Sequence, residues 1–317
     1  MRHKKAKESN KRGLFYPEGG YNHTFRVGER AYDMPIGVVS NRPMSRWQEE
    51  PPVIYLPTYG ERAECSARTV EACDTPVVVF ASHGSDIPHQ IGCSPKEALE
   101  RALRETFPEF VRFVLEQSKT DEIGVAGGSA GGAKIGFGLR ETSGEGIGSI
   151  GLWNPLGLSN WTGEGVELSA RQFVARFAWS GRRISPFQPG IIAQTTEQLL
   201  EVLDDTRADM FMNAMDIANR SDFRPEYVSH AKRGKQVLII SGARDPLFPT
   251  EDIVLALERA TPKHPKAPKR LPDGSITHSF VDGNLLVRQV PGLAHVTSVL
   301  ESGQKAALDV IEFARSV

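Results

Sequence analysis

Apolar residues fall along this chain in two recurring patterns. Short unbroken runs, VIYLP at Val53–Pro57, VVVFAS at Val77–Ser82, EIGVAGG at Glu122–Gly128, IGSIGLWN at Ile147–Asn154, QVLIIS at Gln236–Ser241 and NLLVRQV at Asn284–Val290, read as strands. A continuous run rather than an alternating one predicts a strand covered on both faces. HTFRVGERAYDM at His23–Met34 and IGVVSN at Ile36–Asn41 add two further strands, for eight in all.

Between the runs, apolar positions recur at helical spacing. Leu99, Leu103, Phe107, Phe110 and Val114 share one helix face. Ser94 stands as its N-cap, Pro95 at its first position and Glu97 three residues after the serine, which together form a capping box. Pro108 inside this helix predicts a bend. A shorter helix is expected around Glu64–Glu71, and further ones at Glu251–Ala260 and Glu301–Ser316. Strand and helix therefore alternate, which predicts an α/β fold with a mostly parallel sheet and helices on both faces.

The alternation breaks after Asn154. From 157 to 235 there are helical patches, ARQFVARFAW, TEQLLEVLDD and ADMFMNAMDIANR, but no strand. This predicts a core in two parts, 1–156 and 236–317, with a helical cap at 157–235 over the carboxyl edge of the sheet, where ligands bind in such folds.

Composition changes this picture little. The chain has 317 residues, 39% of them hydrophobic and 24% charged, and a net charge of −1. That balance calls for no nucleic acid or anionic membrane as partner. No run approaches the ~18 apolar residues of a membrane helix, and the first residues lack the apolar core of a secretory signal. Six basic residues among the first twelve read as a solvated, disordered tip. Three cysteines (Cys65, Cys73, Cys93) at irregular spacing indicate neither a disulfide framework nor a zinc site, so a reducing cytoplasm is the expected compartment.

The chemistry concentrates in VAGGSAGGAKIG, Val125–Gly136. Read as a P-loop from Gly127, the second glycine falls at Gly132, but Lys134 comes one place late and Ile135 stands where a hydroxyl is needed. No register supplies a dinucleotide fingerprint. Gly127-Gly128-Ser129-Ala130-Gly131 does match G-x-S-x-G, in which a serine stands on a sharp strand-to-helix turn that large neighbours would block. A serine hydroxyl needs a base to take its proton and an acid to orient that base. After Ser129 the expected order is acid, then histidine. Asp245 in SGARDPLFP and His295 in PGLAHVTS each follow a predicted strand, so all three would gather on one edge of the sheet. Read singly, each has a plainer explanation: Asp245 could bond its own loop backbone and His295 could cap a helix.

GGSAGG, SGARDPLFP, PGLAHVTS and the late helical insertion together resemble the α/β-hydrolase superfamily, from about Val27 to the C-terminus. The resemblance implies an eight-stranded sheet with a helical cap and an acyl-serine mechanism without a cofactor or metal. Ser129 maps to the nucleophile, Asp245 to the acid and His295 to the base. The backbone N–H of Ala130 maps to one oxyanion donor. For the second, the loop Thr58–Gly60 is preferred over Ser82–Pro88, with Tyr59 as the donor. Pro57-Thr58 stands where many relatives carry His-Gly.

The expected substrate is a small acyl compound, a carboxylic ester or a relative. Carbon–carbon bond hydrolysis, thioester or amide cleavage, perhydrolysis and a non-catalytic receptor or scaffold role remain open. A serine nucleophile argues against dehalogenase and epoxide hydrolase chemistry, which in this fold uses aspartate. Trp153, Phe173, Phe177, Trp179, Met210 and Phe211 would line an apolar pocket, or else pack the core of the cap.

Overall fold

The computed structural model describes residues 8–11, 14–17, 21–27, 30–58, 66–82, 95–158, 220–243, 245, 248–261, 267–293 and 301–316. Among the described residues twelve strands form one sheet. They are β1 (Glu8–Lys11), β2 (Leu14–Pro17), β3 (Tyr21–Val27), β4 (Arg30–Ser40), β5 (Val53–Leu56), β6 (Val77–Ser82), β7 (Ile123–Gly128), β8 (Ile147–Trp153), β9 (Val237–Gly242), β10 (Lys269–Arg270), β11 (Ile276–Phe280) and β12 (Leu285–Val290). The described helices are α1 (Ala67–Glu71), α2 (Pro95–Ser118), α3 (Ala130–Thr142), α4 (Arg224–Lys232), α5 (Thr250–Ala260) and α6 (Glu301–Ala314).

The strand order is β1-β2-β4-β6-β5-β7-β8-β9-β12-β11-β10, with β3 also paired to β4. From β6 to β12 all neighbours are parallel. Both edges are antiparallel: β4 against β6 on one side and β11 against β12 on the other. The eight strands expected from the sequence are all present, and four short ones extend the edges. Those four are short and lack a continuous apolar run: β1 and β10 lie at the ends of the sheet, and Lys269–Arg270 is exposed. Residues 8–11, expected to be part of a solvated tip, pair with 14–17 as a hairpin. The segment 23–34, expected as one strand, divides into β3 and β4, which pair from Val27↔Arg30 outward. Gly28 is the sequence signal for that break.

Alternate residues of the central strands feed two cores. Ile54, Leu56, Val125, Ile150, Leu152, Val237 and Ile239 face α2, α3, α4 and α5. Val53, Tyr55, Ala126, Trp153, Leu238 and Ile240 face α6 and the Val70 side of α1. Neither face of a central strand meets water, which is why these strands read as continuous apolar runs. The α2 helix starts at Pro95 and runs on through Pro108. Phe107 and Phe110, on either side of that proline, are fully buried and pack against Phe80 of β6, the first edge-on and the second tilted.

The segment 159–219 lies outside the described residues. The described residues on either side of it are joined: the Phe223 N–H donates to the Gly157 carbonyl at 3.1 Å. The α4 helix, which sequence reading placed within the 157–235 insertion, is therefore part of the layer over the sheet. Its Tyr227, Val228, His230 and Ala231 are buried, and Tyr227 Oη donates to the Gly132 carbonyl at 2.6 Å. Sequence reading ran the insertion up to the next strand because α4 carries no strand pattern to mark the return.

Candidate active site

Ser129 connects the last residue of β7 to the first of α3, with φ 47° and ψ −112°. A positive φ in a residue with a side chain costs about 1–3 kcal/mol and persists only where the surroundings enforce it. Here the enforcement is visible. The Ser129 N–H donates to the Trp153 carbonyl at 3.0 Å, and its own carbonyl accepts from Gly132 and Leu156, each at 3.0 Å.

Small neighbours let the turn close. A Cβ on Gly131 would stand 2.3 Å from the Leu56 carbonyl oxygen, and one on Gly127 2.9 Å from Ile135 Cδ1. At Gly128 the obstacle is the Trp153 ring, 2.2 Å from where a Cβ would be. The first and last glycines of G-x-S-x-G were expected to relieve such clashes. The demand at 128 comes from a side chain on the adjacent strand, which no local sequence signal announces.

Ala130 is the first residue of α3, so its N–H is one of those with no partner inside the helix. The helix dipole adds partial positive charge at this point. The strand β5 is the direct neighbour of β7, in register Leu56↔Gly127, while β6 lies one strand further out. Thr58 is buried just past the end of β5. Tyr59 lies outside the described residues.

Asp245 follows β9 and is 4% exposed. Its N–H donates to the Gly242 carbonyl at 3.0 Å, and its Oδ1 accepts the Phe248 N–H at 3.1 Å. The bond to its own loop, one of the plainer explanations for an aspartate here, is thus present and fixes one carboxylate oxygen. The strand β12 is paired to β9 and ends at Val290; Pro291, Gly292 and buried Leu293 follow. His295, two residues on, lies outside the described residues, as do Phe173, Phe177, Trp179, Met210 and Phe211. Trp153 is fully buried, with its indole against Gly128 in the core that faces α6. It underlies the turn and has no surface open to a ligand.

Two further buried groups lie close in the chain to this edge. Lys134 on α3 is 5% exposed, and burial pushes its ammonium pKa down to about 8. Asn154, past the end of β8, is fully buried with φ 42°. Among the described residues no cluster of histidine, cysteine and carboxylates could hold a metal ion, and no helix is long and apolar enough to cross a membrane.

No protein-family model and no curated protein matches this chain in sequence. Solved structures do match in three dimensions. An α/β hydrolase from a Medee basin deep-sea metagenome library superposes with TM-score 0.55 at 14% identity, covering 93% of this chain and 98% of its own. The chain has the α/β-hydrolase fold. A bromoperoxidase from Bacillus anthracis gives TM-score 0.54 at 14% identity, covering 93% and 99%. A thermophilic esterase from Thermogutta terrifontis gives 0.52 at 12%, covering 93% and 98%. On an α/β-hydrolase sheet, Ser129 and Asp245 both stand at the carboxyl ends of central strands.

Proposed function

We propose that this chain is a serine hydrolase acting on a carboxylic ester or a related small acyl compound. The observation that carries the reading is Ser129 itself: a serine at φ 47°, on a strand-to-helix turn at the carboxyl edge of the sheet, with glycines packed against backbone and ring on either side. A strained serine held there has a use as a nucleophile and little use as a spacer.

Asp245 supplies the acid. The strand β8 lies between β7 and β9, so the strand ends bearing Ser129 and Asp245 are two spacings, roughly 10 Å, apart. That gap is too wide for a direct bond and suits an imidazole between them. His295, five residues after the end of β12 in the chain, is the candidate for that role by chain order. Ser129 Oγ attacks the carbonyl as His295 takes its proton, and Asp245 orients and stabilises the imidazolium. The negative oxygen of the tetrahedral intermediate is met by the Ala130 N–H at the start of α3 and by a second donor in the loop after β5, for which Tyr59 is the candidate. The carbonyl re-forms as the leaving group departs with the proton, and water repeats the sequence to release the acid.

The insertion between Gly157 and Phe223 is proposed as the cap. It leaves the core just past the carboxyl end of β8, on the same edge as Ser129, so its aromatic and methionine residues, Phe173, Phe177, Trp179, Met210 and Phe211, are candidates for the acyl pocket. The neighbouring esterase is in keeping with this chemistry.

A fluorophosphonate probe tests the reading. Wild-type protein is expected to label at Ser129 and to hydrolyse short p-nitrophenyl esters, and Ser129→Ala to lose both while keeping its unfolding midpoint. Folded protein that does not label at Ser129 would overturn it.

A further inference from the structure

The strand ends bearing Ser129 and Asp245 do not touch; β8 separates them. What passes from one to the other is a chain of hydrogen bonds through the four residues after β8 begins its exit. Trp153 accepts the Ser129 N–H at 3.0 Å, and Leu156 donates to the Ser129 carbonyl at 3.0 Å. Between those two, Asn154 turns toward β9. Its N–H donates to the Ile240 carbonyl at 2.8 Å, and its Oδ1 accepts the Gly242 N–H at 2.8 Å. The Gly242 carbonyl in turn accepts the Asp245 N–H at 3.0 Å and lies 3.4 Å from Thr250 Oγ1 at the start of α5.

Asn154 has the features of a residue retained for its side chain. It is fully buried and holds φ 42°, a conformation that glycine adopts without cost and that asparagine tolerates better than most. A glycine would satisfy the backbone. Only a side-chain acceptor satisfies the Gly242 N–H, the donor where β9 ends and the acid loop starts.

We propose that Asn154 is a positioning residue that sets Asp245 in register with Ser129, an inference that rests on the serine-hydrolase reading above. It holds the Gly242 peptide, and through it the Asp245 backbone, at a fixed distance from the same short segment that clamps Ser129. Loss of Oδ1 leaves the Gly242 N–H unpaired and frees the acid loop to shift; displacements of about 1 Å at a catalytic group cost on the order of 10²-fold in rate.

Asn154→Gly is the informative variant, because glycine keeps the positive φ and removes only the side chain. Asn154→Ala is the second, adding backbone strain to the same loss. Rates are counted per Ser129 labelled by the fluorophosphonate probe, so incomplete folding does not enter them. Both variants are expected to lose kcat by about 10²-fold with KM within about twofold of wild type. The acid limb of kcat/KM is expected to move about one unit lower, as the carboxylate that supports the imidazolium is less well placed. Asn41→Ala is the control for stability alone. Asn41 bonds the Val70, Cys73 and Thr75 carbonyls and the Val77 N–H at the opposite edge of the sheet, so this variant should unfold more easily with kcat and pH profile unchanged. If Asn154→Gly also loses only stability, the positioning role is overturned while the hydrolase reading stands. If wild-type Ser129 does not label at all, both are overturned.

Discussion

Gly131 lies so close to Leu56 that a Cβ on it would stand 2.3 Å from the Leu56 carbonyl oxygen. That approach seats the first turn of α3 directly on β5 and fixes where the N-terminal amides of the helix point. Gly131→Ala should therefore push α3 away from the sheet. A loss of about 1–3 kcal/mol is expected in urea unfolding, the usual range for an overpacked core. Labelling of Ser129 should slow in parallel, because the Ala130 N–H moves with the helix. Wild-type labelling in a destabilised Gly131→Ala protein would separate the helix seat from the nucleophile.

Asp245→Asn retains the oxygen that accepts the Phe248 N–H but removes the negative charge. If Asp245 orients and stabilises an imidazolium, kcat should fall by roughly 10⁴-fold with little change in unfolding midpoint. Steady-state hydrolysis of p-nitrophenyl acetate reads this directly. An unchanged rate would place the acid elsewhere.

His230 on α4 is a histidine whose tautomer is decided by its partners. Its Nε2 lies 2.7 Å from the Gly148 carbonyl, which can only accept, and its Nδ1 lies 3.0 Å from Arg233 Nη2, which can only donate. The ring is therefore neutral. Burial pushes its pKa down from 6.5 to about 4; the Gly148 carbonyl acts in the opposite direction, and the charges of Arg233 and Lys235 add to the fall. Between these values the unfolded chain binds a proton that the folded one does not, so stability falls as pH drops through that window. The loss from this group between pH 7 and pH 4 is on the order of 3 kcal/mol. His230→Gln, which can keep a donor near Gly148 but cannot titrate, should show a shallower decline of the urea midpoint over the same range. Identical slopes would remove His230 from the acid sensitivity.

Cys73 is 6% exposed, and burial, with Glu312 and Asp74 nearby, pushes its thiol up to about 12. The thiolate, which is the reactive form, is essentially unpopulated at pH 8. Iodoacetamide at pH 8 should leave the Cys73 peptide unmodified in native protein and alkylate it fully in urea. Ready modification of the native protein would mean that the α1–β6 segment opens on its own.

The order of strands in the chain, the burial of both faces of the central sheet and the strand-to-helix turn at Ser129 were legible in sequence for one reason. Each depends on residues adjacent in the chain: an apolar run too short for a helix, or glycines two places either side of a serine. The place of Asp245 just past a strand end was legible because a strand followed by a polar loop is also a local pattern. Boundaries set by distant partners were not. The hairpin between β3 and β4, the edge strands β10 and β11 and the return of the chain at Phe223 all depend on which segment lies alongside.

The tertiary structure alone decided how the turn is held. Gly128 must be small because Trp153 on the next strand fills the space above it, and Gly131 because Leu56 does. In sequence Asn154 only closes the last strand before the insertion; folded, it is the acceptor that ties the end of β9 to the segment clamping Ser129. Sequence determines which residues can carry the chemistry, since that is a property of each side chain and its immediate neighbours. Their spacing across the sheet is set by hydrogen bonds between strands far apart in the chain, and these exist only once the sheet has formed.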